Sequence, residues 1–142
     1  MKPFLKWAGG KRWLIPRLSD KLPPYNRYFE PFLGSGSLFF ALEPKIAILS
    51  DSNRELINCY RQVKNHCKDV VGLLRRLSVD KNTYYKVRDY LYSKANAIQR
   101  AAYFIYLNKT CWNGLYRVNA TGKFNVPCGS LRSNTLIFDE KH

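Results

Sequence analysis

The residues best suited to chemistry begin with a glycine loop, FEPFLGSG at positions 29–36, in which Gly34 and Gly36 let the backbone approach a ligand at the start of a helix. Asp51 follows Glu30 by 21 residues, close to the offset of about 20 at which a carboxylate takes the hydroxyls of a ribose. A lone G-x-G is also found in ordinary turns between a strand and a helix, and Asp51 could instead cap the helix that begins beside Ser52. The two features together favour a ligand site.

A second candidate segment, KWAGGK at positions 6–11, places an aromatic residue, two glycines and two lysines within six residues. It is not a P-loop, because the G-x-x-x-x-G-K-[ST] spacing is absent. The alternative interpretation is a basic turn that packs Trp7 against the core.

The charge of the chain indicates a polyanionic partner. Its 24 Lys and Arg residues outnumber 10 Asp and Glu residues, which leaves a net charge of +14. Such an excess is typical of proteins that bind nucleic acid and, less often, an anionic membrane surface. A solvated basic face remains the alternative, since charge alone gives only non-specific affinity.

Composition limits the class of protein. A chain of 142 residues with 46% hydrophobic content can form about one domain with a core. No apolar run approaches the length of about 18 residues that spans a membrane, and the first six residues lack the long apolar stretch of a secretory signal, so we expect a soluble cytoplasmic protein. The cysteines show neither a CxxC pair nor zinc-site spacing, so we expect reduced thiols and no metal site. These cysteines are Cys59, Cys67, Cys111 and Cys128.

The elements that must position these residues form two groups. Residues 27–32 and 46–49 are predicted strands, joined by the loop 33–36 and a helix over 37–42, which begins an α/β sheet. Ser52 to Glu55 fits a capping box for a helix over about 53–66. Apolar residues at helical spacing predict three more helices up to about residue 105, with Lys or Arg on their other faces. The turn NATG at 119–122 predicts a β-hairpin over 116–126.

Four segments follow one another in the order found in the Dam family of DNA adenine-N6 methyltransferases. They are KWAGGK at 6–11, FEPFLGSG at 29–36, SDSN at 50–53, and YLNKTCWNGLYRVN at 106–119 together with GKFNVP at 122–127. The chain resembles that family over nearly its whole length. The resemblance implies an α/β fold: an incomplete Rossmann-like methyltransferase sheet with a mostly helical DNA-recognition insertion that carries the hairpin.

The resemblance also implies a cofactor and its binding residues. S-adenosylmethionine has no phosphate, so its loop needs close backbone contact, while its adenosine needs an aromatic or apolar wall and a carboxylate for the ribose. The residues carried over to this role are Trp7, Ala8, Gly9, Gly10, Lys11, Glu30, Pro31, Phe32, Gly34, Gly36 and Asp51.

The later segment is similar to the part of that family that reads double-stranded DNA. The family pattern makes Arg117 the guanine reader, because its fork reaches O6 and N7 together, and alternation along the hairpin should face it away from Tyr116 and Val118. Trp112 takes the place of an aromatic that inserts into the base stack, where the family more often has Tyr or Phe. The full set implied to bind DNA is Lys6, Trp112, Asn113, Leu115, Arg117, Asn119 and Pro127. The family most often reads GATC.

One family motif has no match in these residues. Adenine-N6 transferases of this type use [DNS]-P-P-[YFW], whose first residue and a proline carbonyl accept hydrogen bonds from the target amino group. Leu22-Pro23-Pro24-Tyr25 has leucine at the acceptor position and precedes the cofactor loop. We therefore expect the catalytic motif beyond His142, no catalytic residue in this chain, and no activity of the chain alone.

These expectations define domains and competing functions. Residues 1–55 are expected to form the start of the S-adenosylmethionine domain, 56–135 the recognition domain with its hairpin at about 115–127, and 136–142 the return to the catalytic domain. The leading hypothesis is a site-specific, nucleoid-associated DNA methyltransferase, of the kind found in restriction-modification, that is completed by a complementary catalytic half. The alternatives are a truncated, non-catalytic DNA-binding module and, less favoured, a basic RNA-binding protein.

Overall fold

The computed structural model describes residues 2–18 and 21–131, and the predicted segment 136–142 lies outside these residues. A 3₁₀ turn over Lys11–Leu14 and helix α1 over Ile15–Leu18 precede the sheet. Strand β1 spans Tyr28–Glu30, helix α2 spans Ser37–Leu42 and strand β2 spans Ala47–Leu49. The strands pair in parallel with Phe29 opposite Ile48, so the predicted strand-loop-helix-strand unit is confirmed, with strands shorter than expected.

The rest of the described chain is mainly helical, as predicted. Helix α3 spans Arg54–Asn65, α4 spans Cys67–Arg75, and α5 spans Lys81–Lys86. The last continues through a wide π turn over Val87–Leu91 into α6 over Tyr92–Lys94. Helix α7 spans Ala97–Thr110, and a 3₁₀ turn over Trp112–Gly114 follows it. The described residues therefore form a mixed α/β, mostly helical fold with a small parallel sheet.

Helix α7 forms the centre of the core. A single apolar stripe was predicted for it, but it is buried on several sides from Phe104 to Asn108. It packs against α3 and α4, and residues from all three helices are fully buried, among them Leu56, Val70 and Tyr106. Buried tyrosines attach the neighbouring segments: the Tyr84 hydroxyl donates to the Val126 carbonyl at 2.8 Å, and the Tyr106 hydroxyl donates to the Ser78 carbonyl at 2.8 Å.

The capping box predicted from Ser52 and Glu55 is wrong by one residue. Asn53 is the N-cap of α3, and its Oδ1 accepts from the amides of Glu55 and Leu56, both at 3.1 Å. The Glu55 side chain turns away from the cap to bind Arg100 and Tyr92 on the neighbouring helices. Glu55 therefore bonds to side chains distant in sequence instead of to a backbone amide at the start of its own helix. A true capping box occurs at Asn96 and Gln99, at the start of α7.

The predicted hairpin is a pair of antiparallel arms without regular strands in the described residues. Bridges form at Val118 with Phe124 and at Cys111 with Cys128. The first arm has three more residues between these bridges than the second arm. The 3₁₀ turn Trp112–Gly114 takes up this excess, so the ladder cannot run continuously. All four cysteines carry free thiols.

One face of the two-stranded sheet is open to solvent. Phe29 and Ile48, opposite each other in the register, are 61% and 54% exposed, and nearby Phe32 and Ile46 are also exposed. Parallel sheets normally bury both faces.

Among the described residues, no helix is both long and apolar enough to cross a membrane.

Candidate cofactor cleft and nucleic-acid interface

A cleft of about 210 Å³ lies where the glycine loop meets the N-terminal segment. The loop follows β1 and Asp51 follows β2, so parallel pairing brings both to the same end of the sheet. Eight of the predicted cofactor residues line this cleft: Trp7, Ala8, Gly9, Gly10, Lys11, Phe32, Gly34 and Asp51.

Asp51 joins the glycine loop to the turn before α3. Its Oδ2 accepts from the Gly34 amide at 2.9 Å, and its Oδ1 accepts from the Asn53 amide at 2.9 Å. The carboxylate thus orders the loop and the turn before α3. Because an ionised carboxylate has about four acceptor positions, these two bonds leave capacity for a ligand hydroxyl. The alternative that Asp51 caps the following helix is wrong, because Asn53 is the N-cap of α3.

Glu30 is buried beneath the cleft rather than lining it. It is 4% exposed, and its carboxylate accepts from Lys11 Nζ at 2.9 Å and from the Tyr28 hydroxyl at 2.8 Å. Lys11 also donates to the Phe32 carbonyl, which ties the N-terminal segment to the loop. Burial and the bond to Glu30 raise the pKa of Tyr28 above its usual value, so the phenol stays a donor.

Trp7 connects the cleft to the later segment. A side chain on Gly34, where φ is +53°, would bring its Cβ within 3.0 Å of the Trp7 ring. Trp7 also contacts two other aromatic rings. It stacks on Tyr116 with ring centroids 5.4 Å apart, and the Phe104 ring centroid lies 6.2 Å away. Trp7 therefore packs between the glycine loop and the hairpin arm.

Two other predicted cofactor residues, Pro31 and Gly36, do not line the cleft. Gly36 has φ of +66° and is the N-cap of α2, where an added Cβ would meet the Phe40 ring at 3.1 Å. Its role is to turn the chain into the helix. Leu33, Ser35 and Ser37 line the cleft but were not predicted, although they lie inside or beside the same glycine motif.

The hairpin presents Arg117 to solvent. Its Nε donates to the Asn125 side-chain oxygen at 2.8 Å, which orients the guanidinium from the opposite arm. Tyr116 packs inward, as the predicted alternation requires, whereas Val118 is 40% exposed. Sequence reasoning missed Asn125, because its partner is set by the pairing of the arms.

The other residues of the predicted DNA-reading segment play mixed roles. Trp112 is 57% exposed, and its amide donates to the Pro127 carbonyl at 2.9 Å. Asn113 is exposed at φ of +54°. Asn119 builds the turn, since its Oδ1 accepts from the amides of Thr121 and Lys123. Leu115 lines a different cavity, described below.

The N-terminal segment meets the recognition segment at a compact junction. Asn108 Oδ1 accepts from the Lys6 amide at 2.9 Å, and its Nδ2 donates to the carbonyls of Lys6 at 2.7 Å and Gly114 at 3.3 Å. Lys6 lies so close to Gly114 that an added Cβ there would be 2.5 Å from Lys6 Cδ. Burial, with help from the Lys6 charge, lowers the pKa of Lys109.

A larger cavity of about 420 Å³ separates the helices from the hairpin. Its walls include Phe104, Tyr116 and Phe124. Three of its polar side chains pair with one another: Arg100 and the Tyr92 hydroxyl both donate to Glu55 Oε2, at 3.1 and 2.7 Å. Burial, together with the bond to Glu55, raises the pKa of Tyr92.

The helices carry the basic surface that the sequence predicted. Exposed cations lie along α3, α4, α5 and the turn after α4: Arg54, Arg61, Lys64, Lys68, Arg75, Arg76, Lys81 and Lys86. In the described part of the chain, no group of three or more His, Cys, Asp or Glu residues is placed to hold a metal ion.

Comparison with known proteins agrees with these observations. The sequence model of the D12 class N6 adenine-specific DNA methyltransferase family matches residues 7–142. The chain is 43% identical to the type II methyltransferase M.MjaIII of Methanocaldococcus jannaschii, over 100% of this chain and 56% of the relative. It is 40% identical to the type II methyltransferase M1.LlaDCHI of Lactococcus lactis subsp. cremoris, over 99% of this chain and 52% of the relative.

A third relative is the DNA adenine methylase of Escherichia coli strain K12, 39% identical over 90% of this chain and 48% of the relative. The chain therefore spans about half the length of the curated relatives it matches.

Proposed function

Because this chain belongs to the D12 class of N6 adenine-specific DNA methyltransferases, we propose that it binds S-adenosylmethionine and double-stranded DNA as part of a site-specific adenine-N6 methyltransferase. The observation that carries this proposal is the stack of Trp7 on Tyr116. It joins the glycine cleft directly to the arm that presents Arg117, so both ligands would bind to one continuous surface.

The cleft residues fit S-adenosylmethionine. Gly9 leaves room for close approach, since a Cβ there would meet nothing within 4 Å. Trp7 supplies an aromatic wall, and Asp51 keeps acceptor capacity for ribose hydroxyls. When bound, the cofactor supplies a methyl group activated by its sulfonium. The chain's own contribution is to hold the cofactor: Lys11 and Glu30 fix the loop from beneath, and Asp51 fixes it from the side.

The exposed hairpin and basic helices fit duplex DNA. Arg117 would read guanine through its fork while Asn125 holds its Nε, and Trp112 offers an exposed ring for stacking. Lys6, Asn113, Leu115, Asn119 and Pro127 complete the proposed contact set. The proposed target is a GATC-like site. The cations of α3 to α5 would hold phosphates without sequence preference.

The division of labour within the chain is also a proposal. Residues 1–55 would form the first part of a Rossmann-like cofactor domain, and 56–135 the recognition domain, in a protein of the cytoplasm bound to the nucleoid. The chain's residues contain no [DNS]-P-P-[YFW] motif to accept the target amino group. We therefore expect no methyl transfer by the chain alone, with a complementary half supplying that motif.

DNA recognition is tested by fluorescence anisotropy with a GATC duplex and a scrambled duplex at several salt concentrations. Arg117→Ala should weaken binding to the GATC duplex by roughly 1–3 kcal/mol and to the scrambled duplex much less. Arg76→Ala, which removes an exposed cation from the helices, should weaken both alike and flatten the salt dependence. Equal losses for Arg117→Ala on both duplexes would favour a non-catalytic or RNA-binding module.

The cofactor assignment is tested by titration calorimetry. Asp51→Asn keeps an acceptor for one backbone amide but loses the negative charge, so it should weaken S-adenosylmethionine binding several-fold. Asp89→Asn removes an exposed carboxylate outside the cleft and should leave binding unchanged. Incubation with tritiated cofactor and duplex DNA should give no turnover above a control without protein, and turnover would contradict the assignment of catalysis to another half.

A further inference from the structure

Asn108 occupies the junction between the two proposed ligand surfaces. Its side chain is 4% exposed, and all three of its bonds go to backbone groups at that junction: the amide and carbonyl of Lys6 and the carbonyl of Gly114. Lys6 directly precedes Trp7 of the cleft. Gly114 directly follows Trp112 and Asn113 of the recognition turn.

The carboxamide is suited to this position because it both accepts and donates. Its oxygen meets an amide and its nitrogen meets two carbonyls, so one planar group fixes the direction of both segments. Such bonds are strong inside a protein, where water does not compete.

A second contact makes the junction rigid. Gly114 has φ of +63°, and Lys6 Cβ would lie 2.7 Å from any Cβ placed there. The Lys6 side chain therefore packs against the Gly114 backbone, in the space that a side chain at position 114 would occupy. Movement of Lys6 relative to the turn would disturb this packing contact and the three bonds of Asn108.

We propose that Asn108 is a positioning residue that couples S-adenosylmethionine binding to DNA recognition, an inference that rests on the proposed function. A cofactor held by Trp7 and residues 8–11 restricts the adjoining Lys6. Asn108 then transmits that restriction to the turn that carries Trp112 and Asn113. Coupling is reciprocal, so bound DNA tightens cofactor binding by the same factor.

The coupling is measured as the ratio of the cofactor Kd without DNA to the Kd with saturating GATC duplex, using the 142-residue chain. We expect a ratio of at least about fivefold for the parent, and a ratio close to one for Asn108→Ala, while each ligand alone still binds. The matched control is Asn58→Ala. It removes an asparagine that donates to the Ala97 carbonyl at 2.9 Å, away from the junction, and should keep the parent ratio.

Hydrogen exchange on the unmodified protein provides a second readout that needs no variant. Added S-adenosylmethionine, without DNA, should slow exchange of the Gly114 and Leu115 amides in the recognition turn. The amide of Gly122 at the hairpin tip, which donates to the Asn119 carbonyl, should be unaffected. This measurement tests the coupling even if Asn108→Ala does not fold.

The outcomes separate the inference from the proposed function. Loss of both ligands by the parent chain overturns the proposed function and the inference with it. Binding of both ligands with a ratio of one, or a ratio that survives Asn108→Ala, overturns the inference alone. Unchanged exchange at Gly114 and Leu115 on cofactor addition does the same.

Discussion

At the scale of single residues, Gly34 occupies a position where a side chain has no room. Its φ is +53° and an added Cβ would press on the Trp7 ring. We expect Gly34→Ala to lower the free energy of unfolding by about 1–3 kcal/mol through backbone strain and this contact, and to weaken cofactor binding. Urea unfolding followed by circular dichroism measures the stability.

Gly72 provides the matched control for that substitution. It lies inside α4, and a Cβ there would meet nothing within 4 Å. Gly72→Ala should therefore raise the free energy of unfolding by about 0.5–1 kcal/mol, since alanine is the better helix former. A stabilising Gly34→Ala would show that the loop does not hold the conformation described.

Motif spacing brought Gly34 and Asp51 together and the family resemblance added Trp7; the structure places all three at one cleft, and their role in cofactor binding stays a prediction. Spacing could not reveal that Glu30 lies beneath the cleft, since its burial depends on Lys11 and Tyr28 folding over it. Asn108 and Asn125 were also missed. Their partners are defined by tertiary contact, and Asn108 finds Lys6 across 102 residues.

At the scale of elements, the start of α5 contains a titratable cap. Asp80 accepts from the Thr83 amide at 2.8 Å and from the Thr83 hydroxyl at 2.9 Å, and these bonds lower its pKa below the usual value. A carboxyl with a lowered folded pKa stabilises the protein above its unfolded pKa of about 3.9, and this contribution disappears as pH falls through the folded pKa.

Asp80→Asn should therefore flatten the acid-side decline in stability between about pH 5 and 2, because the amide still caps the helix but does not titrate. Thermal unfolding across that range is the measurement. Asp69→Asn, at an exposed position in the first turn of α4, serves as the control. An identical decline in Asp80→Asn and the parent would contradict the role of the cap.

The helices and strands were predictable where periodicity or an apolar run was strong, as for α3, α7 and the β1–α2–β2 unit, although the apolar run of β2 was expected to be buried and Ile46 and Ile48 are exposed. Their details were not. The π turn over Val87–Leu91 adds a residue to a helical turn without any local signal. The hairpin lacks a regular ladder because Trp112–Gly114 takes up residues from one arm, and that unequal count becomes visible only once both bridges are known.

At the scale of the whole molecule, we expect the open sheet face to promote self-association. Phe29 and Ile48 are paired and more than half exposed, and an apolar sheet face of this kind promotes self-association. Phe29→Ser with Ile48→Ser should reduce concentration-dependent association in sedimentation velocity and change unfolding free energy little. Val79→Ser, at a 38% exposed site elsewhere, should leave association as in the parent. Persistent association of the double variant would show that another surface is responsible for self-association.

The junction at Asn108 has a kinetic consequence. Closing a loop of 102 residues costs about 4 kcal/mol of chain entropy, whereas pairing α3 with α7 across 45 residues costs about 0.7 kcal/mol less by the same relation. We therefore expect residues 2–11 to dock after the helices have assembled, and after Asn108 has left the ribosome during synthesis. Asn108→Ala should then accelerate unfolding and leave the refolding rate nearly unchanged in stopped-flow experiments. Slower refolding of the variant would instead place this contact in the folding nucleus.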